Sequence, residues 1–156
     1  MKALFLPFEK INFLLCILGF FGLVLLPAQT AAEIEILLET PAVTYAQAAR
    51  FVLKASETAQ ISNLEEAFSF AAERNWLPRD VSPDSAARLD VVSMLFMKSF
   101  GIKGGLLYSI FKNPHYAYRE LVNMSAIQGK AYPTRAVSGE QLLFIASRVL
   151  SITENE

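Results

Sequence analysis

The sequence predicts an all-α protein: helix-loop-helix repeats packed as a compact helical bundle. Three observations carry that expectation. Apolar residues recur at helical spacing in one segment after another. Capping-box patterns, a Ser or Thr with Gln or Glu three residues later, stand at the starts of several of these segments. Residues 63–100 and 114–150 also share one order of events: helix, turn, proline, cap, helix. Residues 41–54 read as half a further copy, and no pair of strands is convincing.

The leader comes first. Lys2 and Lys10 form a weakly basic start diluted by Glu9, residues 11–26 are almost wholly apolar, Pro27 breaks the run, and small residues follow. That is the layout of a secretory signal peptide over residues 1–32, cut after Ala32 with Thr30 at the −3 position. Cleavage after Thr30 and an uncleaved membrane anchor are the alternatives. The apolar run is shorter than the roughly 20 residues that span a bilayer, which favours cleavage. Cys16, the sole cysteine, lies inside the leader, so the processed chain would hold no disulfide, thiolate metal site or cysteine nucleophile.

Residues 33–152 form one helical repeat domain by length, with a polar tail at 153–156. Losing Lys2, Lys10 and Glu9 moves the net charge from −1 to −2. Such a balance gives no electrostatic reason to expect nucleic acid, and the sequence shows no polybasic cluster for an anionic membrane surface. The expected location is the exterior side of the export pathway: periplasmic or cell-envelope associated.

Along the domain, residues 33–39 alternate acid and apolar, EIEILLE, and read as a short strand or extended lead-in ended by Pro41. Thr44 with Gln47 opens a helix over 45–56. Ser62 with Glu65 opens the next, with Leu64, Ala67, Phe68 and Ala71 as its buried stripe and Pro78 as its stop. A third runs from near Ser85 to Phe100 and is apolar almost all round, which places it centrally. Gly101 suits its left-handed C-cap. Gly104 and Gly105 precede a short apolar helix, LLYSIF, and lack the lysine and spacing of a phosphate loop. Asn113-Pro114 reads as N-cap and N1 of a helix carrying Ala117, Leu121 and Met124. After a long turn, Ser138 with Gln141 opens the last helix, where Leu142, Ile145, Ala146, Val149 and Leu150 fit the helical template.

In the overlay of the two fuller copies Ala67 meets Ala117, Leu77 meets Ile127 and Pro83 meets Pro133. One residue of slack in the loop then sets Val92 against Leu143 and Leu95 against Ala146. Ala87-Arg88-Leu89-Asp90 opens the second helix of one copy. Thr44-Tyr45-Ala46-Gln47 and Ser138-Gly139-Glu140-Gln141 stand at matching places. This pattern resembles the S-layer homology module, whose second helix opens with a T-R-A-E type motif. The resemblance covers most of residues 41–150, with 102–113 as an insertion. It implies a pseudo-threefold helical domain that binds cell-wall polysaccharide between its units, the motif arginine meeting the anionic polymer. Only Arg88 carries over to that role; Tyr45 and Gly139 stand where the other two arginines would be.

No catalytic constellation is present. His115, the only histidine, has no metal-ligand spacing around it, and no metal or cofactor is expected. Glu65, Glu66 and Glu73 read as a solvated helix face, which leaves a glycan hydrolase as the minor alternative. Tyr108, His115, Tyr116, Tyr118, Arg119, Lys130, Tyr132 and Arg135 crowd the third unit. Tyrosine offers a flat face with a hydroxyl and arginine a planar fork for carboxylate. Arg88, Tyr116, Arg119, Tyr132 and Arg135 are therefore the candidate ligand-binding residues. The function expected is non-enzymatic: binding a cell-wall polysaccharide or an envelope partner protein. A structural or assembly subunit without a glycan ligand is the alternative.

Overall fold

Seven helices and no strand make up the described residues, 25–129 and 132–154 of the computed structural model: α1 (Leu25–Leu38), α2 (Tyr45–Ala55), α3 (Leu64–Glu73), α4 (Leu89–Ser99), α5 (Leu106–Phe111), α6 (Pro114–Asn123) and α7 (Gly139–Thr153). The chain divides into two units, Met1–Ile36 and Leu37–Glu156. Of the first, the described part is helix, with Ile34 and Ile36 exposed. Most of the expected leader lies outside the described residues. Among the described residues no helix is long and apolar enough to cross a membrane.

The lead-in expected over 33–39 is corrected: residues up to Leu38 are helical. The alternation EIEILLE also contains Ile34, Leu37 and Leu38 at i, i+3 and i+4, a helical set, and of these Leu37 is buried.

In the second unit the caps decide where helices start. Thr44 Oγ1 accepts the Gln47 N–H at 3.2 Å and Gln47 Oε1 accepts the Thr44 N–H at 2.9 Å, a complete capping box. Ser138 Oγ accepts the Gln141 N–H at 3.2 Å at the start of α7. Asn113 Oδ1 accepts the Tyr116 N–H at 3.1 Å, with Pro114 at N1 of α6. The cap of α3 falls one residue later than expected. Asn63 Oδ1 accepts the Glu66 N–H at 2.9 Å, and Glu66 Oε2 reaches back to the Ser62 N–H at 2.9 Å. Leu64, expected in the stripe of α3, is exposed, whereas Ala67 and Ala71 are buried.

α4 is the centre of this unit. Every residue from 89 to 97 is buried, and α4 packs most extensively on α6 and also on α2. α3 packs on α2, and α5 on α6. At its end, Ile102 N–H donates to Met97 O at 3.0 Å around Gly101, whose φ of 62° is left-handed. Ile102 is buried by this turn.

The starts of α2, α4 and α7 are tied together by backbone. Val43 N–H donates to Val137 O at 2.8 Å, Val137 N–H to Ala87 O at 3.0 Å, and Ala87 N–H to Val43 O at 2.8 Å. These three bonds close a cycle, and all three residues are fully buried. Each immediately precedes an N-cap: Thr44, Arg88 and Ser138. The loops continue the pattern. Tyr45 and Ala46 N–H donate to Ser85 and Pro83 O, Leu89 and Asp90 N–H to Arg135 and Pro133 O, and Gly139 N–H to Thr40 O, all within 2.8–3.0 Å.

This network corrects the register of the overlay. Asn63 and Asn113 cap α3 and α6, Pro83 and Pro133 accept from the next helix start, and Ala87 matches Val137. No slack residue is needed. Arg88 therefore matches Thr44 and Ser138 rather than Tyr45 and Gly139, and Leu95 matches Ile145. α4 also begins at Leu89 rather than near Ser85, because residues 86 and 88 are extended and bridge to Thr44 and Ala136.

Candidate functional site

The N-terminus of α4 collects several of the candidate residues. Arg88 is its N-cap, and its side chain caps nothing, since guanidinium has no acceptor. Asp90 replaces the missing cap: its Oδ1 accepts the Val91 N–H at 2.9 Å. The same carboxylate takes Arg88 in a fork, Nε to Oδ1 at 3.2 Å and Nη2 to Oδ2 at 2.6 Å. The Asp90 side chain is 8 % exposed and that of Arg88 47 %. The carboxylate is sunk and the outer edge of the guanidinium faces water. The hydrogen bond to Asp90 holds the Arg88 guanidinium above its ordinary pKa, so it stays charged.

Tyr45 lies behind this pair. It is buried, and burial raises its hydroxyl above the ordinary tyrosine range, while a hydrogen bond from the Arg88 backbone and the Arg88 charge pull it back. The charges of Asp80 and Asp90 push both the Tyr45 hydroxyl and the Arg88 guanidinium upward. Sequence reasoning missed Tyr45 and Asp90 as parts of the site. An acid in the first turn of a helix looks like an ordinary partner for the helix dipole, and only the fold shows that it is buried under the arginine.

The structure brings Tyr132 and Arg135 to Arg88. Ala136 bridges to Arg88, and the Pro133 and Arg135 carbonyls accept the first N–H groups of α4. Tyr132 is 79 % exposed, Arg135 is exposed, and the Arg135 side chain makes no hydrogen bond or ion pair among the described residues. Backbone bonds thus bring the Tyr132–Arg135 turn beside the start of α4, where Arg88 stands. The backbone donors at this helix start are all used: Leu89 and Asp90 N–H by the loop, Val91 N–H by Asp90 and Val92 N–H by Arg88 O. An anion here meets side chains, not orphan amides.

Tyr116 and Arg119 lie on α6 instead. The Tyr116 ring stacks on Phe111 at 5.3 Å and meets the edge of His115 at 5.4 Å; Arg119 is exposed. No ring stack, hydrogen bond or ion pair joins either to Tyr132 or Arg135 among the described residues. Lys130 lies outside the described residues. His115 is exposed, and no group of three metal-ligating side chains occurs among the described residues. Of the three glutamates weighed for hydrolysis, all are exposed and Glu66 is occupied as a cap partner.

Tyr108 is part of the core. Its hydroxyl donates to Met94 Sδ at 3.8 Å, and burial, with the nearby Glu120 charge, pushes its pKa up to about 12. Between pH 10 and 12 the unfolded chain would release this proton while the folded chain keeps it, so stability falls as pH rises through that window. The expected loss is about 3 kcal/mol, at 1.36 kcal/mol per pK unit. Tyr108→Phe should flatten the alkaline limb of a urea-midpoint-against-pH curve; an unchanged limb would mean Tyr108 is not the group responsible.

No family model matches this chain, and no curated protein and no solved structure does so either.

Proposed function

We propose that this chain is an exported, non-enzymatic cell-envelope protein, a degenerate relative of the S-layer homology module, that binds an anionic cell-wall polysaccharide at the corner formed by Arg88, Tyr132 and Arg135. The observation that carries this reading is the closed backbone cycle of Val43, Val137 and Ala87. It ties three helix starts around one centre, which fits the pseudo-threefold domain that the resemblance implies, and the backbone bonds beside it bring the Tyr132–Arg135 turn to the helix that begins after Arg88. A sugar ring suits the exposed tyrosine face, and its acidic substituents suit the two planar forks.

The test is retention of the protein on purified cell-wall sacculus. Tyr132→Ala with Arg135→Ala, both exposed, should cut retention about tenfold or more, the scale expected when charge-assisted hydrogen bonds are lost. Arg88→Ala is a poor probe, because it strands the sunken Asp90 carboxylate and destabilises the helix start. Arg88→Lys keeps the charge against Asp90 and removes the fork, so it should weaken binding while the fold survives. Native retention in both variants would end this reading. Loss of retention only in Tyr116→Ala with Arg119→Ala would move the site to α6. In the same preparations, the protein recovered from the envelope should begin at or near Glu33; a start at Met1 would favour the anchored form.

A further inference from the structure

One cleft of the second unit gathers cations without acids. It lies between the end of α4 and the Tyr108–Ser109 side of α5, and its volume is about 320 Å³. That is near the lower end of the range for small-molecule sites. Met97, Ile102 and Tyr108, all buried, give it an apolar base. Lys98, Lys103 and Lys112 line it as well, and no carboxylate does. Glu120 approaches α5 beside Gly105 and is not part of the wall. None of the three ammonium groups makes a hydrogen bond or ion pair among the described residues.

The loop before α5 shapes the wall. Ser109 Oγ donates to Gly104 O at 3.2 Å, which ties the loop to the helix. Gly104 rests directly on the Tyr108 ring, in the space a Cβ would need. The Lys103 and Gly104 N–H groups have no hydrogen-bond partner among the described residues. Lys112 stands at the C-cap of α5 in a left-handed conformation, φ 43° and ψ 44°. Glycine takes that conformation without the steric cost a lysine carries. Burial, and then the Lys112 charge, hold Lys98 below the ordinary lysine range. Two like charges so close, with no acid between them, are relieved by an anion from outside.

We propose that this cleft binds a small phosphate monoester, its phosphate held by Lys98, Lys103 and Lys112 and its organic part lying toward Met97, Ile102 and Tyr108. The cations select phosphate over carboxylate. Arginine offers the planar fork that matches a carboxylate, whereas lysines act as separate point charges around a compact anion with several oxygens. The size of the cleft selects a small solute over a polymer. The inference stands apart from the wall-polymer reading, which concerns another set of residues.

The test is proton–nitrogen correlation NMR on the full chain. Phenyl phosphate should move the amide signals of Lys103, Gly104 and Ser109 to saturation, with sodium chloride holding the ionic strength constant. Benzoate, a carboxylate with the same ring, should bind about tenfold more weakly or worse. Lys98→Gln and Lys112→Gly should each weaken phenyl phosphate about fivefold or more, the scale of one charge-assisted contact. Arg148→Gln, exposed on α7, should leave it unchanged. Lys112→Gly should also raise the urea midpoint, because glycine suits the left-handed turn. Weaker binding in that variant therefore reads the missing ammonium and not a damaged fold. Equal binding of benzoate would overturn the inference, as would shifts that sodium chloride alone reproduces. Shifts centred on the amides of Arg88 and Arg135 would place the anion at the other site. A response to vesicles of phosphatidic acid with none to phenyl phosphate would make the ligand a lipid headgroup and not a small solute.

Discussion

Gly139→Ala should destabilise the protein by about 3 kcal/mol, at the upper end of what an overpacking change costs. At the first position of an exposed helix the same change would be neutral or favourable, because alanine is the better helix former by about 1 kcal/mol. The sign reverses here because the Leu37 carbonyl oxygen occupies the place a Cβ would take. That carbonyl cannot rotate away as a side-chain tip could. Its segment also supplies the Thr40 oxygen that accepts the Gly139 N–H at 2.9 Å. Making room for one methyl group therefore pushes back the same backbone that the start of α7 depends on. Urea unfolding of Gly139→Ala beside Glu140→Ala, an exposed neighbour, separates the clash from helix propensity. A loss below about 1 kcal/mol at Gly139 would show that the Leu37 turn yields easily.

Leu95→Ala and Ile145→Ala should each lower stability by about 2–5 kcal/mol, the range for a large core residue cut to a methyl. Leu95 is 0 % and Ile145 1 % exposed. They occupy matching places on α4 and α7, each one turn and more past the helix start. Leu95 should stand toward the upper part of the range, since α4 is buried on every side through residue 97 and its neighbours have little freedom to collapse. Chemical denaturation reads both. Losses below about 1 kcal/mol at both positions would mean that Leu95 and Ile145 are not the packed core residues their burial indicates.

The elements that were legible in the sequence are those whose boundaries are set by neighbours in the chain. Thr44 with Gln47, Asn113 with Pro114, Ser138 with Gln141 and Gly101 all act within a turn of themselves, and the helices begin and end there. The all-round burial of α4 followed from periodicity, as did the α7 stripe of Leu142, Ile145, Ala146 and Val149; Leu150, expected in that stripe, is exposed. The failures are non-local or degenerate. Ser85 looked like a helix start, but it ends a turn whose carbonyl accepts the Tyr45 N–H, and residues 86 and 88 are held extended by bridges to Thr44 and Ala136, partners remote in sequence. The stretch around Ser62, Asn63, Glu65 and Glu66 holds two capping frames one residue apart, and Asn63 with Glu66 takes the helix. Asn75 and Ser125 end α3 and α6 in left-handed conformations that glycine would have announced and they do not.

The candidate site was legible in part for the same reason. Arg88, Tyr132 and Arg135 stood out by residue type, but the backbone pairing that brings their segments together runs through the Ala136 bridge. The boundary error that started α4 near Ser85 put Arg88 inside the helix and hid its pairing with Asp90.

The cycle of Val43, Val137 and Ala87 also sets how the bundle can come apart. Each residue gives its N–H to one neighbour and lends its carbonyl to the other. Opening a single corner therefore strands a donor on one segment and an acceptor on another, in a place water does not reach, at about 1–3 kcal/mol for each orphan. No two of the three segments can keep the arrangement once the third has left. The helix starts of α2, α4 and α7 accordingly behave as one cooperative element, held or lost together, although their sequences are spread over most of the domain.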